Sequence, residues 1–364
     1  GLAGQTVDQS RVFYRELEAL YTAFLADQRS PLAELPLQYA DFACWQRNTL
    51  QGDVLEQQLG YWRDQLSRSL APLELPVDRP RPSVQTFVGA TESKVLPKYM
   101  TRALEEISRQ AGTTMFMTML AAFQTQLYLY TNRRDIVVGT ATASRTRVEI
   151  EGLIGFFTNT LVMRTDFSGN PSFEEIVAQV RETSLGAMAH QDLPFEKIVE
   201  ELEPKHDLSY SPLFQVGFLY EEAPSQPFKL PGLRVGAFDV DEGAAKWDLS
   251  LALTDNPQGI SAYLEYNTDL FDGATIQRML GHFEHLLEQI IENPGVKLSE
   301  LCLLTEPEWK QLVAQYNATR QEFPYEVCFH NLFERQVERT PEAVALCCGV
   351  EELLYAQLNA KANQ

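Results

Sequence analysis

No stretch of this sequence approaches the roughly 20 consecutive apolar residues that a membrane-spanning helix needs. The opening GLAGQTVDQS has neither the basic start nor the apolar middle of a secretory signal, so a protein that is not exported is expected. Positive charge is scarce: 50 acidic residues face 30 basic ones, for a formal net charge of −20. Lys and Arg are scattered, and a phosphate backbone would meet net repulsion, which argues against nucleic acid as a partner. Cysteine is sparse and odd in number. Of Cys44, Cys302, Cys328, Cys347 and Cys348 only the last two are close together, without the spacing of a metal knuckle or a redox pair, so a reducing cytoplasm is expected. A GxSxG nucleophile pattern is missing, and so is a glycine-rich phosphate loop, so ATP use is not credited to this chain. An initiator Met is lacking, and Gln364 falls inside the helical pattern LLYAQLNAKANQ with no Gly or Pro stop; both ends read as cut.

What is there is enough for a large core. The chain has 364 residues, 45% of them apolar and 10% aromatic, which exceeds a single ordinary domain of roughly 100–200 residues. Phe13, Leu17, Leu20 and Phe24 recur at helical spacing over 9–26, with Asp8 or Ser10 as cap, and two further helices are expected near 37–50 and 53–68. The prolines at 72, 76, 80 and 82 forbid a helix and mark a connection. A helix pair follows over 99–131, its first member turning Met100, Leu104 and Ile107 to one side and its second apolar on most sides, hence buried. DIVVGTATA reads as a strand covered on both faces. Then come helices at 171–188 and 194–203, strands near 213–220, 233–240, 247–254 and 259–267, and a helix at 273–292. The class is mixed α and β. LLTEPEWKQLVAQYNATRQEFPYE reads as a polar linker, and FHNLFERQVERTPEAVALCCG as a helix, a Pro break and a strand.

Several short stretches are candidates for chemistry. In AHQDLPFEKIVEEL, Asp192 suits a helix cap, Pro194 the first turn and Glu196 the positive end of the dipole. His190 stands just before that start, where an imidazole faces either solvent or a cleft. IGFFTNTLVMR at 154–164 begins with Ile154 and Gly155 and sets Asn159 in an apolar run, so a buried amide there needs partners. HDLSYSPLF at 206–214 puts charged and hydroxyl side chains before a strand. His282, His285 and Glu288 share a helix, where a solvated face is favoured over a metal site.

YADFACW at 39–45, IGFFTNTLVMR at 154–164, HQDLPFE at 190–196 and HDLSYSPLF at 206–214 resemble, in sequence and order, the later core motifs of non-ribosomal peptide synthetase condensation domains. The resemblance continues through KWDLSLALTD and LEYNTDLFD and covers roughly residues 5–305. FPYEVCFHNLFERQVERTPEAVAL and LLYAQLNAKANQ resemble the opening of an adenylation domain. The resemblance implies a fold like chloramphenicol acetyltransferase, with two αβ lobes and a tunnel between them. It divides the chain into a remnant of the first lobe and crossover (1–82), a second lobe (83–305), a linker (306–327) and an incomplete adenylation start (328–364). Implied partners are an upstream and a downstream peptidyl carrier protein and the adjacent adenylation domain. The carriers' phosphopantetheine arms enter the tunnel, and the domain itself binds no cofactor. Implied tunnel residues are Asn159, His190, Asp192, His206 and Ser209; implied structural residues are Tyr39, Asp41, Trp45, Gly155, Pro194, Asp207 and Asp248.

One departure stands out. Where the family carries HHxxxDG, this chain has Leu2, Ala3, Gly4, Gln5, Thr6, Val7 and Asp8, so no base is assignable there and the chain alone is expected not to catalyse. The family's usual Arg is replaced by His206, which is expected to avoid an unpaired buried charge. The leading reading is a fragment of a peptide-bond-forming enzyme. The alternatives are a degenerate module that docks carrier proteins and the adenylation domain, and an epimerisation or heterocyclisation relative.

Overall fold

The computed structural model describes residues 3–66, 71–202, 207–221, 229–236, 243–320, 327–349 and 351–364, with side chains from Arg11 onward. The chain forms two units, Gly1–Thr305 and Glu306–Gln364.

The first unit opens with α1 (Ala3–Leu25), α2 (Tyr39–Thr49) and α3 (Gly52–Leu66). Helix α1 starts six residues earlier than its apolar spacing indicates, so Ala3 to Asp8 are helical and neither Asp8 nor Ser10 caps it. Its covered face is also different. Val12 and Ala23 are buried, whereas Phe13 and Phe24 are more than half exposed. The helical pattern marks an amphipathic stretch but does not choose between two adjacent apolar stripes.

Beyond α3 the proline-rich stretch runs extended, as its missing amide donors require. It is pinned along its length. Leu73 N donates to Gln215 Oε1 at 2.7 Å, and the amides of Asp78 and Arg79 both donate to the carbonyl of Leu270.

A six-stranded sheet follows, built from β1 (Gly89–Pro97), β2 (Asp135–Thr142), β3 (Asn159–Asp166), β4 (Val216–Glu221), β5 (Leu249–Asn256) and β6 (Gly259–Asn267), in the order β1-β6-β5-β4-β2-β3. The parallel pairs are β2 with β4 and β4 with β5; the others are antiparallel. Strands β4 and β5 begin two or three residues later than the hydrophobic runs imply. Residues 229–236 form no strand, so the expected strand at 233–240 is absent there, and 237–240 lie outside the described residues.

Helices α4 (Lys98–Ala111), α5 (Met115–Thr131), α7 (Phe173–Ala189) and α9 (Gly273–Glu292) pack with the sheet, and the short α6 (Val148–Glu151) and α8 (Phe195–Leu202) lie in the connections. Met117 to Leu127 of α5 are all buried, as a helix apolar on most sides demands. Its start is capped by Thr114 Oγ1, which accepts from Met117 N. Helix α7 starts on a capping box between Ser172 and Glu175. Those hydrogen bonds and Lys297 hold the Glu175 carboxyl down at about 2.

The second unit contains α10 (Glu306–Lys310), α11 (Phe329–Arg339), β7 (Val344–Cys348), β8 (Glu351–Leu354) and α12 (Tyr355–Ala362). The stretch read as a polar linker begins as a helix and continues as a π-helical turn, Gln311–Gln315. Pro307 sits in the first turn, where its missing N–H costs nothing, and Lys310 pairs with Glu306 one turn back at 2.5 Å. No helix among the described residues is long and apolar enough to cross a membrane.

Candidate functional site

A cavity of about 630 Å³ opens in the first unit. One wall is aromatic and comes from α2, with Tyr39, Phe42 and Trp45; α3 adds Val54 and Gln58. The lining also includes the segment from Phe156 to Thr160, the α7–α8 turn, and Phe195, Glu196, Val199 and Glu200 of α8. Phe214, Lys246 and Trp247 lie on the same lining.

Asn159, at the start of β3, organises this site. Its Nδ2 donates to the carbonyls of Gln191 (2.8 Å) and Leu193 (2.7 Å), while its Oδ1 accepts from the amides of Thr160 (2.9 Å) and Phe195 (3.0 Å). The amide in an apolar run is thus fully partnered, and IGFFTNT and HQDLPFE are tied together. The capping role expected of Asp192 belongs to Asn159 instead: the first free amide of α8 goes across to the strand. Asp192 is exposed on the cavity wall and has no hydrogen bond among the described residues. Pro194 stands immediately before the helix and not inside its first turn, its carbonyl accepting from Lys197 N and Ile198 N, and Glu196 lies in the first turn.

Tyr39 lies on Gly155. A Cβ at 155 would fall 2.3 Å from the tyrosine ring, and the Tyr39 hydroxyl donates to the carbonyl of Phe156 at 2.9 Å. Asp41 accepts the amide of Gln38 at the start of α2. Trp45 carries the guanidinium of Arg147 over its ring at 4.3 Å, and Phe157 carries that of Arg145 at 4.4 Å.

Several sequence candidates lie off the cavity lining, among them His190, Asp207, Ser209 and Asp248. His190 ends α7, stacks on Tyr61 with ring centroids 4.0 Å apart, and is hydrogen-bonded through Nδ1 to the carbonyl of Gly186. Its own carbonyl accepts from Trp62 Nε1 at 3.2 Å, and burial in this stack pushes the Tyr61 phenol up to about 12. Ser209 is not on the cavity wall either, and its hydroxyl is committed to Asp207 Oδ1 at 2.6 Å. That bond, with the Ser209 amide, holds the Asp207 carboxyl below the usual range. Asp248 is buried in a two-point ion pair with Arg81, whose Nη1 reaches Asp248 Oδ1 at 2.9 Å and the Ser209 carbonyl at 3.0 Å. His206 and Leu2 lie outside the described residues, and of Ala3, Gly4, Gln5, Thr6, Val7 and Asp8 only the helical backbone is described.

The helix-borne histidines do not make a metal centre. His282 is buried with Nδ1 2.5 Å from the Tyr130 hydroxyl, and His285 pairs with Glu288 at 3.4 Å. No cluster of three or more metal-binding side chains occurs among the described residues.

The family model for the condensation domain matches residues 10–313. The chain belongs to the condensation-domain family. Within that family it is 47% identical, over 355 residues and 97% of its length, to a linear gramicidin synthase of Brevibacillus parabrevis. The chain spans 7% of that synthase's length. The crystal structure of the X-domain from teicoplanin biosynthesis superposes with a TM-score of 0.74 at 34% identity, covering 82% of this chain and 69% of that one. A four-domain non-ribosomal peptide synthetase bound to AMP and glycine superposes at 0.76 over 95% of this chain and 27% of its own, and at 23% identity it attests the fold. The mixed α/β condensation fold is thus common to the chain and its structural neighbours.

Sequence reading singles out Asn159 and Tyr39, which line the cavity, and Gly155, which lies under Tyr39, but passes over Gln191 and the pair Phe214 and Trp247 on the same lining. The signals for that pair are glycines. Gly139 leaves no room for a Cβ beside Phe214 (2.0 Å), nor Gly217 beside Trp247 (2.3 Å), and two glycines inside strands mark such close approaches.

Proposed function

We propose that this chain is a piece of a non-ribosomal peptide synthetase: part of a condensation domain, followed by the beginning of an adenylation domain at 328–364. The parent joins aminoacyl or peptidyl groups carried as thioesters on an upstream and a downstream carrier protein. The downstream amine attacks the upstream thioester carbonyl; a C–N bond forms, the C–S bond breaks, and the upstream pantetheine thiol leaves with a proton. The observation that carries this reading is the cavity itself, in which IGFFTNT, HQDLPFE and the helix of YADFACW meet. Its volume and mixed polar and apolar walls suit a pantetheine arm. The relatives lend support from another side. The match to the gramicidin synthase runs over 355 residues, longer than the condensation match at 10–313, which supports a segment beyond the condensation domain.

Ala3 and Val7 stand where the family places a histidine and an aspartate, and no histidine lies on the cavity wall among the described residues. A docking module is therefore the second reading. It is favoured by one specific neighbour, the complex of the X-domain and OxyB from teicoplanin biosynthesis, on which this chain superposes with a TM-score of 0.73. A thioester-transfer assay on the upstream-extended protein separates the two. Product from the Ala3→His variant supports the enzyme fragment; a well-folded variant that binds carriers and yields no product supports docking.

A further inference from the structure

Strand β4 divides its side chains between two faces. Phe218 packs on Phe116 and Phe123 of α5. Strand alternation therefore turns Gly217, Leu219 and Glu221 the other way, to the face where the Trp247 ring fills the space over Gly217. Helix α1 packs on β4 and β2, and its Arg11 is the charge that reaches Glu221, which places the helix on that second face. There Glu221 has its Oε1 buried with no hydrogen-bond partner among the described residues. The neighbouring elements bring it no other cation. On β5 the residue in register is Thr254, and the next one, Asp255, takes the Tyr220 hydroxyl on the α5 face. On β2 the charged residue is Asp135, at the far end and paired with Arg164. Helix α1 itself adds two half-buried acids, Glu16 and Glu18.

The helix that covers this carboxyl is lightly held. From Arg11 onward only Val12 and Ala23 of α1 are buried, while Phe13, Phe24 and Leu25 are 52%, 60% and 63% exposed. One Val and one Ala bury little apolar surface, so the opening of α1 belongs to the least costly local motions of the fold. Seating the helix strips water from Glu221, and desolvation pushes its carboxyl up to about 7 against the smaller pull of Arg11. Lifting the helix returns the group to water. We infer that α1 is a detachable strap on the sheet, released when Glu221 gives its proton to solvent. From the ordinary value of 4.5 up to about 7 the seated state holds a proton that the lifted state does not, so lifting becomes easier as pH rises, and above 7 the effect is flat.

Hydrogen exchange on the full 364-residue chain tests this. It is read from peptides within 11–25 of α1 and, as internal reference, within 115–131 of α5, with rates corrected for the intrinsic pH dependence of exchange. From about pH 5 to about pH 7.5 the protection of α1 is expected to fall on the order of tenfold, a figure discounted for the partial exposure of the carboxyl, while that of α5 holds. Glu221→Gln removes the slope and keeps α1 protected at the upper pH; Glu16→Gln leaves the slope in place. A parent chain whose α1 protection does not change with pH overturns the inference, and so does a Glu221→Gln chain with the parent's slope. If α1 and α5 lose protection together, the carboxyl acts on global unfolding and there is no strap. Should Glu221→Gln fail to fold, Arg11→Gln gives an independent reading: without the opposing cation the carboxyl rises further and the fall moves to higher pH, and an unmoved profile counts against the strap.

Discussion

Asn159 Oδ1 accepts the backbone N–H of Phe195 at 3.0 Å, so a strand side chain caps a helix that its own sequence leaves uncapped. The same amide closes three other hydrogen bonds across the α7–α8 turn and its own strand. Asn159→Ala is expected to destabilise the fold by about 2–3 kcal/mol, the sum of a lost cap and unpaired carbonyls. Asn159→Asp retains the two accepted bonds but sets a carboxylate against the carbonyls of Gln191 and Leu193, and so recovers only part. Urea unfolding measures both; equal stability of the alanine variant and the parent would show that water replaces the amide.

Arg81 and Asp248 form the most buried ion pair among the described residues, with Asp248 only 1% exposed. Asp248→Ala leaves the guanidinium half-buried over Tyr210 without its counter-charge, at an expected cost of about 3 kcal/mol. The double variant Arg81→Met with Asp248→Leu removes both charges and is expected to regain most of that loss. A double-mutant cycle that finds the two substitutions additive would rule the coupling out.

How much of the fold and site is legible in the sequence depends on where the information lies along the chain. Helices α4, α5 and α9 are readable because a 3.6-residue period is a local property, and the uniform apolarity of α5 marks it as buried. Asp192 suits the cap by its offset in sequence, whereas the actual cap lies 36 residues away from Phe195. His190 attracts attention by residue type, yet its ring is spent on Tyr61, which no local pattern encodes. Residues 233–236, where a strand is expected to begin, form none for a related reason: a strand-like composition marks a pleated surface, but a strand forms only where a neighbour offers hydrogen bonds.

Glu221 makes stability pH-dependent. At the end of β4 its Oε1 is buried without a hydrogen-bond partner among the described residues, and desolvation pushes its carboxyl up to about 7, against a smaller opposing effect of Arg11. The unfolded carboxyl ionises near 4.5, so between that pH and about 7 the native state holds the extra proton and stability falls as pH rises. Above 7 both states are ionised and the contribution is flat. Glu221→Gln removes this slope. Allowing for the partial exposure of the group, the variant should gain on the order of 1–2 kcal/mol on the parent from pH 5 to pH 8. Thermal melts across that range check it, and parallel curves for the two proteins would exclude the assignment.

His190 is expected to matter for packing alone. His190→Ala deletes the stack on Tyr61 and the Nδ1 contact with Gly186, for a loss of about 1–2 kcal/mol. Because the imidazole is absent from the cavity wall, pantetheine affinity should not change. A variant with the parent's melting temperature but weakened pantetheine binding would return His190 to the site.

Gly155 is the position where a single methyl group should disturb the aromatic wall. Its Cβ would lie 2.3 Å from Tyr39 Cδ2, a contact that ring cannot absorb in place, because its hydroxyl is tethered to Phe156 and its edge packs on Phe157 at 5.2 Å. Gly155→Ala therefore has to move Tyr39 outward or shift the Phe156–Thr160 segment, and overpacking of this kind costs about 1–3 kcal/mol. Tyr39→Phe removes only the hydrogen bond, for about 1 kcal/mol. Tyr39→Ala opens the space the methyl needs, so the pair Gly155→Ala with Tyr39→Ala should be less unstable than the sum of the two singles. If instead the double variant loses the full sum, the methyl group is colliding with something other than this ring.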